Sequence, residues 1–370
     1  MKMNNNLQAF FALVKAGLWG EKANLLPYGN LDYSQILKMA EEQTVVGLVA
    51  AGIESVKDSV IPKEIVLQFV GATLQIEQNN SSMNVFIEKL IGRLRKQDVY
   101  TLLVKGQGIA QCYERPLWRA CGDVDLLLSD DNYKKAKDVL VPIAASLGTE
   151  SGKHIGIHIE SWEVELHGDQ HCGLSRRMDD MIDDVQKDLF YGGNVRTWVN
   201  GKTQVFLPGE NNDVMLIFTH FIKHFYKGGL GLRQLCDWCR LLYTYHEKLD
   251  LRLLESRIRK AGLMSEWMAF GAYAVEYLGM PTVAMPFYSD SGRWKRKANR
   301  INAFVLKVGN FGHNRDTSRR KEAFLIRKAM SFSRRLVDVA NHALIFPLDS
   351  LRFFPTIVFN GIKSAIKGVG

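Results

Sequence analysis

Two aspartates lie two residues apart in the sequence GDVDLLL at 122–128. The apolar residues around Asp123 and Asp125 predict a buried strand, and side chains two apart on a strand project from the same face. Two carboxylates on one side of an apolar strand are costly unless a cation or a basic group compensates them. Mg²⁺ and Mn²⁺ bind hard oxygen ligands, and Mg²⁺ commonly keeps substrate phosphates in its remaining positions. The pair therefore predicts a metal site for phosphoryl chemistry, with an exposed strand edge as the alternative.

A third carboxylate is expected from a later strand. In WEVELH at 162–167, apolar residues alternate with polar ones, which is typical of a half-buried strand. Glu165 is the first choice for a third metal ligand, and Glu163 on the same face is the alternative. His167 follows two residues after Glu165, so it is interpreted either as a contact to the substrate or the metal site, or as a structural histidine.

A glycine-containing turn precedes the aspartates. The apolar run VYTLLV at 99–104 predicts a strand that ends at Lys105 and Gly106. A glycine at such a strand end brings backbone N–H groups close to phosphate oxygens. Lys105 is expected either to contact phosphate or to be a solvated strand end.

The elements around these residues predict an α+β fold. Residues 1–95 have helical periodicity, and one helix is expected to begin after a cap at Asp32. Strand and helix patterns alternate between 96 and 208, which predicts a small mixed sheet of three strands. From 209 to 370 the pattern is again helical. We therefore expect a helical region, a sheet-containing core that carries the site, and a second helical region with a basic tail.

These motifs together resemble a bacterial family of nucleotidyltransferases within the polymerase-β-like superfamily. Four stretches carry the resemblance, namely Lys105-Gly106, Arg119, GDVDLL at 122–127 and VELH at 164–167. Weaker support comes from AEEQTVVGLV and GLRQLCDW, so the resemblance extends over roughly residues 25–280. It implies a nucleotidyltransferase core, an NTP substrate, Mg²⁺ or Mn²⁺ as cofactor, and two-metal transfer of an NMP to an acceptor hydroxyl with release of pyrophosphate.

The resemblance also implies roles for single residues. Asp123, Asp125 and Glu165 match the metal ligands that carry catalysis. Nucleotide binding is implied for residues of the phosphate-side turn and its surroundings: Lys105, Gly106, Gly108, Arg119 and Gly122. One departure is Gln107, which occupies the second place of a turn that is usually Gly-Gly or Gly-Ser in the superfamily. This departure leaves open an alternative, a catalytically inactive nucleotide-binding or RNA-associated regulatory protein with the same fold.

Four residues in the following helices are candidates for substrate contact. His220 and His224 are four apart and share one helical face, where they either pack or reach the substrate. They are not part of an HExxH motif, so a zinc site is not favoured there. Arg233 and Asp237 have the same spacing, which predicts either an internal salt bridge or a contact to nucleotide or acceptor.

Basic residues are concentrated at the C-terminal end. Residues 293–370 contain 17 lysines and arginines against 4 acidic residues, whereas the whole chain has a formal net charge of +9. This asymmetry predicts an anionic partner such as nucleic acid or a membrane surface, with a solvated helical face as the alternative. The acceptor stays open among a small molecule, a protein hydroxyl and a tRNA end.

The remaining features favour a cytoplasmic protein. Five cysteines at scattered spacings do not form a disulfide framework. Cys236 and Cys239 lie in a helical pattern, and packing in the core is favoured over zinc because a second pair is missing. We expect no transmembrane segment and no signal peptide, because no apolar run approaches the required length.

Overall fold

Seven strands form one mixed sheet in the computed structural model, which describes residues 4–227, 229–309 and 337–366. The strands are β1 (Leu102–Val104), β2 (Asp123–Leu127), β3 (Ser146–Leu147), β4 (His154–Ile159), β5 (Trp162–His167), β6 (Val195–Asn200) and β7 (Thr203–Pro208). Their order across the sheet is β3-β4-β5-β2-β1-β7-β6. The central strand β2 is antiparallel to β1 and parallel to β5. The aspartate-bearing strand is therefore placed in the middle of the sheet.

Helices precede, connect and follow the strands. Those before the sheet are α1 (Asn5–Trp19), α2 (Tyr33–Glu42), α3 (Val46–Glu54) and α4 (Lys63–Arg95). Those between strands are α5 (Gly106–Ala110), α6 (Asp130–Leu140) and α7 (Arg176–Phe190). Those after the sheet are α8 (Glu210–Lys227), α9 (Leu232–Tyr245), α10 (Leu251–Ala261), α11 (Met264–Leu278), α12 (Gly292–Val308) and a last helix, Pro347–Ile366. The Asp32 side chain caps α2 by accepting a hydrogen bond from the backbone N–H of Gln35, as the sequence predicted.

Each face of the sheet packs against helices. On one face, the apolar side chains of β2 and β5, among them Val124 and Val164, join a cluster with residues of α4 and α6. On the other face, Leu102, Val104 and Leu127 join a larger cluster that also contains residues of α1 to α3 and α8 to α12. Because the polar residues of β2 and β5 are on this second face, the later helices are in position to cover them.

The α+β class expected from the sequence agrees with these elements, but the sheet has more strands than the three predicted. The segment interpreted as a single third strand is a hairpin, β4 and β5, which turns at Glu160 with a positive φ of 53°. β3 has only two residues and both are exposed, so it has no apolar signal. β6 and β7 form a further hairpin, and three of the six residues of its outer strand β6 are exposed. The division into three regions at 95 and 208 stays a prediction.

Two expectations on the cysteines and the membrane can be compared with the structure. Cys236 and Cys239 are fully buried in α9, and all five cysteines are free thiols. Burial raises the pKa of both of these thiols, which makes them unreactive packing residues. Within the described part of the chain, no helix is long and apolar enough to cross a membrane.

Candidate functional site

Strand pairing brings the predicted carboxylates together. β2 and β5 pair with Asp125 opposite Glu165 and Asp123 opposite Glu163. Asp125 is only 3% exposed, whereas Asp123, at the start of its strand, is exposed. Asp123, Asp125 and Glu165 line one cavity. Glu163, the alternative third ligand, is outside its lining, and its carboxylate lies 3.7 Å from Nδ1 of His158.

Asp125 lies between two basic side chains. Nζ of Lys105 is 2.9 Å from its Oδ1, and Nε2 of His167 is 2.8 Å from the same oxygen. Burial alone would raise the pKa of Asp125, but the charge of Lys105 and the hydrogen bond with His167 hold this pKa below its usual value. Burial likewise opposes the charge of Lys105, yet Asp125 raises the lysine pKa above its ordinary value. Both members of this ion pair are therefore charged at neutral pH.

Glu165 faces two histidines. Its Oε2 lies 3.2 Å from Nε2 of His154 and 3.3 Å from Nε2 of His167. Hydrogen bonds from these histidines hold the pKa of Glu165 well below its usual range. Although Asp123 is in contact with solvent, the protein atoms around it partly desolvate its carboxylate, and this desolvation and the repulsion from Asp125 raise the pKa of Asp123. The cluster thus contains two firmly ionised carboxylates and a third that is easier to protonate.

The turn after β1 has an unusual backbone. Lys105 has a φ of 60° and a ψ of −145°, a region in which glycine is the usual residue, and Gly106 follows with a φ of 41°. Such a conformation costs about 1–3 kcal/mol and is concentrated at functional sites. It directs Lys105 and Gly106 into the cavity lining. Gly108 and Gly122 do not line the cavity; a Cβ on Gly108 would lie 3.0 Å from Leu207 Cδ2, so this glycine allows close packing.

Arg119 and Asp237 form a buried ion pair beside the carboxylates. Nε and Nη2 of Arg119 donate to the two carboxylate oxygens at 2.9 and 2.6 Å, and the hydroxyl of Tyr113 donates to Oδ1 at 2.8 Å. The predicted triphosphate contact of Arg119 would therefore compete with an existing bidentate pair. The predicted salt bridge between Arg233 and Asp237 is wrong, because Asp237 pairs with Arg119. Arg233 instead donates through Nη1 to the carbonyl of Ala120 at 2.9 Å.

One face of α8 forms a wall of the same cavity. His220 and His224 have their Nε2 atoms 3.1 Å apart, so that one ring donates a hydrogen bond to the other. Burial, reinforced by the nearby lysine charges, lowers the pKa of His220 well below its usual value and that of His224 to about 4. Both rings are consequently neutral at pH 7. Lys223 and Lys227 from the same face complete this wall.

The cavity has a volume of about 470 Å³, within the size range of small-molecule sites. Of the residues predicted for the site, it brings together all except two glycines: Lys105, Gly106, Arg119, Asp123, Asp125, Glu165, His167, His220, His224, Arg233 and Asp237. Sequence reasoning missed His154, Lys223 and Lys227. The two lysines follow His220 at helical spacings of three and seven residues, which is the signal that would have found them. His154 has no such signal, because only the β4–β5 pairing brings it opposite His167.

The basic C-terminal region is described only in part. In α12, Lys295 forms ion pairs with Glu276 and Asp290, and Lys297 donates a hydrogen bond to Ser265. The basic residues of SRRKEAF at 318–324 are outside the described residues. The predicted anionic partner therefore stays a prediction.

Comparison with known proteins assigns the chain to a family. A family model described as uncharacterised nucleotidyltransferase matches residues 29–279, a span that contains every residue of the candidate site. It also agrees closely with the span of the resemblance seen in the sequence. Neither the curated proteins nor the solved structures contain a match. Because the family model covers more than half of the 370 residues, the chain belongs to this uncharacterised nucleotidyltransferase family.

Proposed function

We propose that this protein transfers an NMP from an NTP to an acceptor hydroxyl. The observation that supports this most directly is the set of three carboxylates, Asp123, Asp125 and Glu165, which share one cavity with several cationic side chains. Phosphoryl transfer depends mainly on positioning and on neutralising charge, and such a set supplies both. We also infer from the sequence resemblance that the fold is that of the polymerase-β-like superfamily.

The carboxylates suit a divalent cation. Asp125 and Glu165 are ionised, adjacent in the sheet and part of the cavity lining, and Asp123 offers a third set of hard oxygen donors. These three residues would hold Mg²⁺ or Mn²⁺. Once bound, the metal would neutralise phosphate charge and favour ionisation of the acceptor hydroxyl.

Two cations that face the cavity are suited to the triphosphate. Lys223 makes no hydrogen bond or ion pair with any residue that the structure describes, although it lines the cavity. Arg233 is also part of the lining, and its Nε is buried without a hydrogen-bond partner among the described atoms. An unpaired buried donor is costly, and a phosphate oxygen would remove this cost. We therefore assign the β- and γ-phosphates to the side of Lys223 and Arg233.

The reaction is a displacement at the α-phosphorus. The acceptor oxygen forms a bond to this phosphorus and loses its proton to solvent, while the bond to the bridging oxygen of the β-phosphate breaks. The products are the NMP-acceptor ester and pyrophosphate. The residues of the cavity orient the two oxygens and leave their own covalent bonds unchanged.

The test is pyrophosphate release from each of the four NTPs with Mg²⁺ or Mn²⁺. Candidate acceptors are tRNA, total protein and small metabolites, each added separately. We expect release by the wild type, a loss of at least about a hundredfold in Asp123→Asn, and no change in Glu163→Gln. Glu163 is a matched control because it lies opposite Asp123 in the register of β2 and β5 but does not line the cavity. Equal release by Asp123→Asn and the wild type would refute the proposed role of Asp123.

A second function is favoured by the contact between Lys105 and Asp125. A lysine ammonium already neutralises one of the proposed metal ligands, which suits a protein that binds nucleotide without turnover. In that case a labelled NTP binds and no pyrophosphate appears with any acceptor. An RNA-associated protein would instead bind RNA in a salt-sensitive manner, and the binding would survive Asp123→Asn.

A further inference from the structure

A second group of metal-binding side chains lies next to the aspartates. His154, Glu165 and His167 each offer one ligand atom, and these three atoms all lie within 4.8 Å of one another. We propose that these three residues form a site for a divalent transition-metal ion of the Zn²⁺, Co²⁺ or Mn²⁺ class. This deepens the proposed function, since it gives Glu165 two histidine co-ligands, but metal binding at the triad does not require turnover.

The strand register builds this triad. His154 on β4 is paired with His167 on β5, and Glu165 is two residues before His167 on the same face. The two imidazole rings have centroids 4.7 Å apart at an interplanar angle of 31°. All three side chains come from hydrogen-bonded strands, which position donor atoms more firmly than loops do.

The spacing between Glu165 and each of the two histidines fits one ion. Ligand atoms that each lie about 2.1 Å from a tetrahedral zinc ion are roughly 3.4 Å from one another. Oε2 of Glu165 is 3.2 Å from the His154 nitrogen and 3.3 Å from the His167 nitrogen. Without a metal, hydrogen bonds from both rings to Glu165 would explain the same distances, so the experiment has to separate these two cases.

The donor types select the class of ion. Two imidazole nitrogens and a carboxylate suit zinc, cobalt, manganese and similar metals, whereas Mg²⁺ prefers oxygen ligands throughout. Asp125 is near enough to take part, since its Oδ1 is 2.8 Å from Nε2 of His167. The triad therefore differs in chemistry from the all-oxygen set of Asp123, Asp125 and Glu165, with which it shares Glu165.

The triad is open to the cavity. The side chain of His154 is 42% exposed and that of Glu165 is 30% exposed, whereas His167 is 9% exposed. All three line the cavity. Three protein ligands with one side open to solvent are typical of zinc sites that keep a position for water or substrate.

Cobalt binding without nucleotide tests the proposal. Tag-free, full-length protein would be titrated with Co²⁺, and its visible d–d absorption would be followed. We expect one equivalent to bind, Zn²⁺ to displace it stoichiometrically, and a hundredfold excess of Mg²⁺ to leave it bound. Absence of cobalt bands, or displacement by Mg²⁺ as readily as by Zn²⁺, would overturn the proposal without any variant.

Variants locate the site. His154→Ala is expected to weaken Co²⁺ binding at least about tenfold, since even outer-shell partners of metal ligands have effects of this size. His158→Ala is the matched control, because His158 is on the same strand and forms an ion pair with Glu163 but does not line the cavity. Circular dichroism would check that both variants fold, and Glu165→Gln replaces His154→Ala if the latter does not. Equal affinities of the triad variant and the control would place the cobalt elsewhere and refute the assignment. Because no NTP is present, failure of the nucleotidyltransferase assay leaves this result unaffected.

Discussion

Replacement of Asp237 by alanine is expected to cost the folded protein about 3–5 kcal/mol, the usual effect of removing one partner of a buried ion pair. Arg119 and Asp237 are 8% and 4% exposed, and Asp237 accepts three hydrogen bonds. In the variant, the Arg119 guanidinium would be left charged and buried beside that of Arg233. Burial and the charge of Arg119 already lower the pKa of Arg233, and the Asp237 carboxylate partly offsets this lowering. The cost should therefore be at the upper end of the range.

Urea denaturation followed by tryptophan fluorescence measures this cost. The double replacement Arg119→Met/Asp237→Leu removes both charges. A protein in which a buried ion pair is replaced by apolar residues is often no less stable than the original. The double variant should therefore recover most of the free energy of unfolding that Asp237→Ala loses. Glu54→Ala is the control, because the Glu54–Arg115 pair is about half exposed and should contribute little. A loss below about 1 kcal/mol for Asp237→Ala, or a double variant no better than the single one, would contradict the reasoning.

Three other predictions concern different parts of the molecule. Burial raises the pKa of Glu266 from 4.5 to about 8, so the folded protein holds a proton that the unfolded chain releases. Stability should fall by up to about 1.4 kcal/mol per unit as the pH rises through that interval, and urea midpoints of Glu266→Gln should lack this slope. Gly17→Ala should destabilise the folded protein, because the added Cβ would lie 1.9 Å from the carbonyl oxygen of Leu48. Gly71→Ala, on an open helix surface, should stabilise the protein by about 0.5–1 kcal/mol, and thermal unfolding compares the two variants. Lys223→Ala should weaken NTP binding about tenfold in a filter-binding assay, with unchanged unfolding.

The local sequence pattern was sufficient to predict those parts of the site that lie within a single element. The alternation around Asp123 and Asp125 predicts both their strand and their shared face, and the structure agrees. The glycine turn and short helix after Lys105 are likewise local features. Choosing Glu165 over Glu163 needed more, since both project from the same face of β5. The structure distinguishes the two only by the cavity, because Glu165 lines it and Glu163 lies outside it, and the role of Glu165 as a metal ligand stays a prediction.

Contacts between distant segments could not be predicted from the sequence. One of the two expectations for Asp237 was a salt bridge with Arg233 four residues away, yet Asp237 pairs with Arg119, which is 118 residues earlier in the chain. Local spacing makes a salt bridge available, but tertiary packing decides which partner is buried beside it. The same holds for His154, which is 13 positions before His167 in the sequence but directly opposite it across the β4–β5 pair. Periodicity within one element carries no information on such pairings.

From the charges in the cavity we predict that metal and nucleotide bind cooperatively. Lys105 is the cation in contact with the carboxylate group, through Asp125, and an NTP would bring further negative charges beside Asp123. Two like charges 4 Å apart repel by about 4 kcal/mol at an effective dielectric constant of 20. A divalent ion removes this repulsion, so NTP affinity should rise at least tenfold when Mn²⁺ is present. By linkage, NTP must increase Mn²⁺ affinity by the same factor. Calorimetric titrations in both orders measure the two factors, and NTP binding that is indifferent to metal would show that the carboxylates do not face the phosphates.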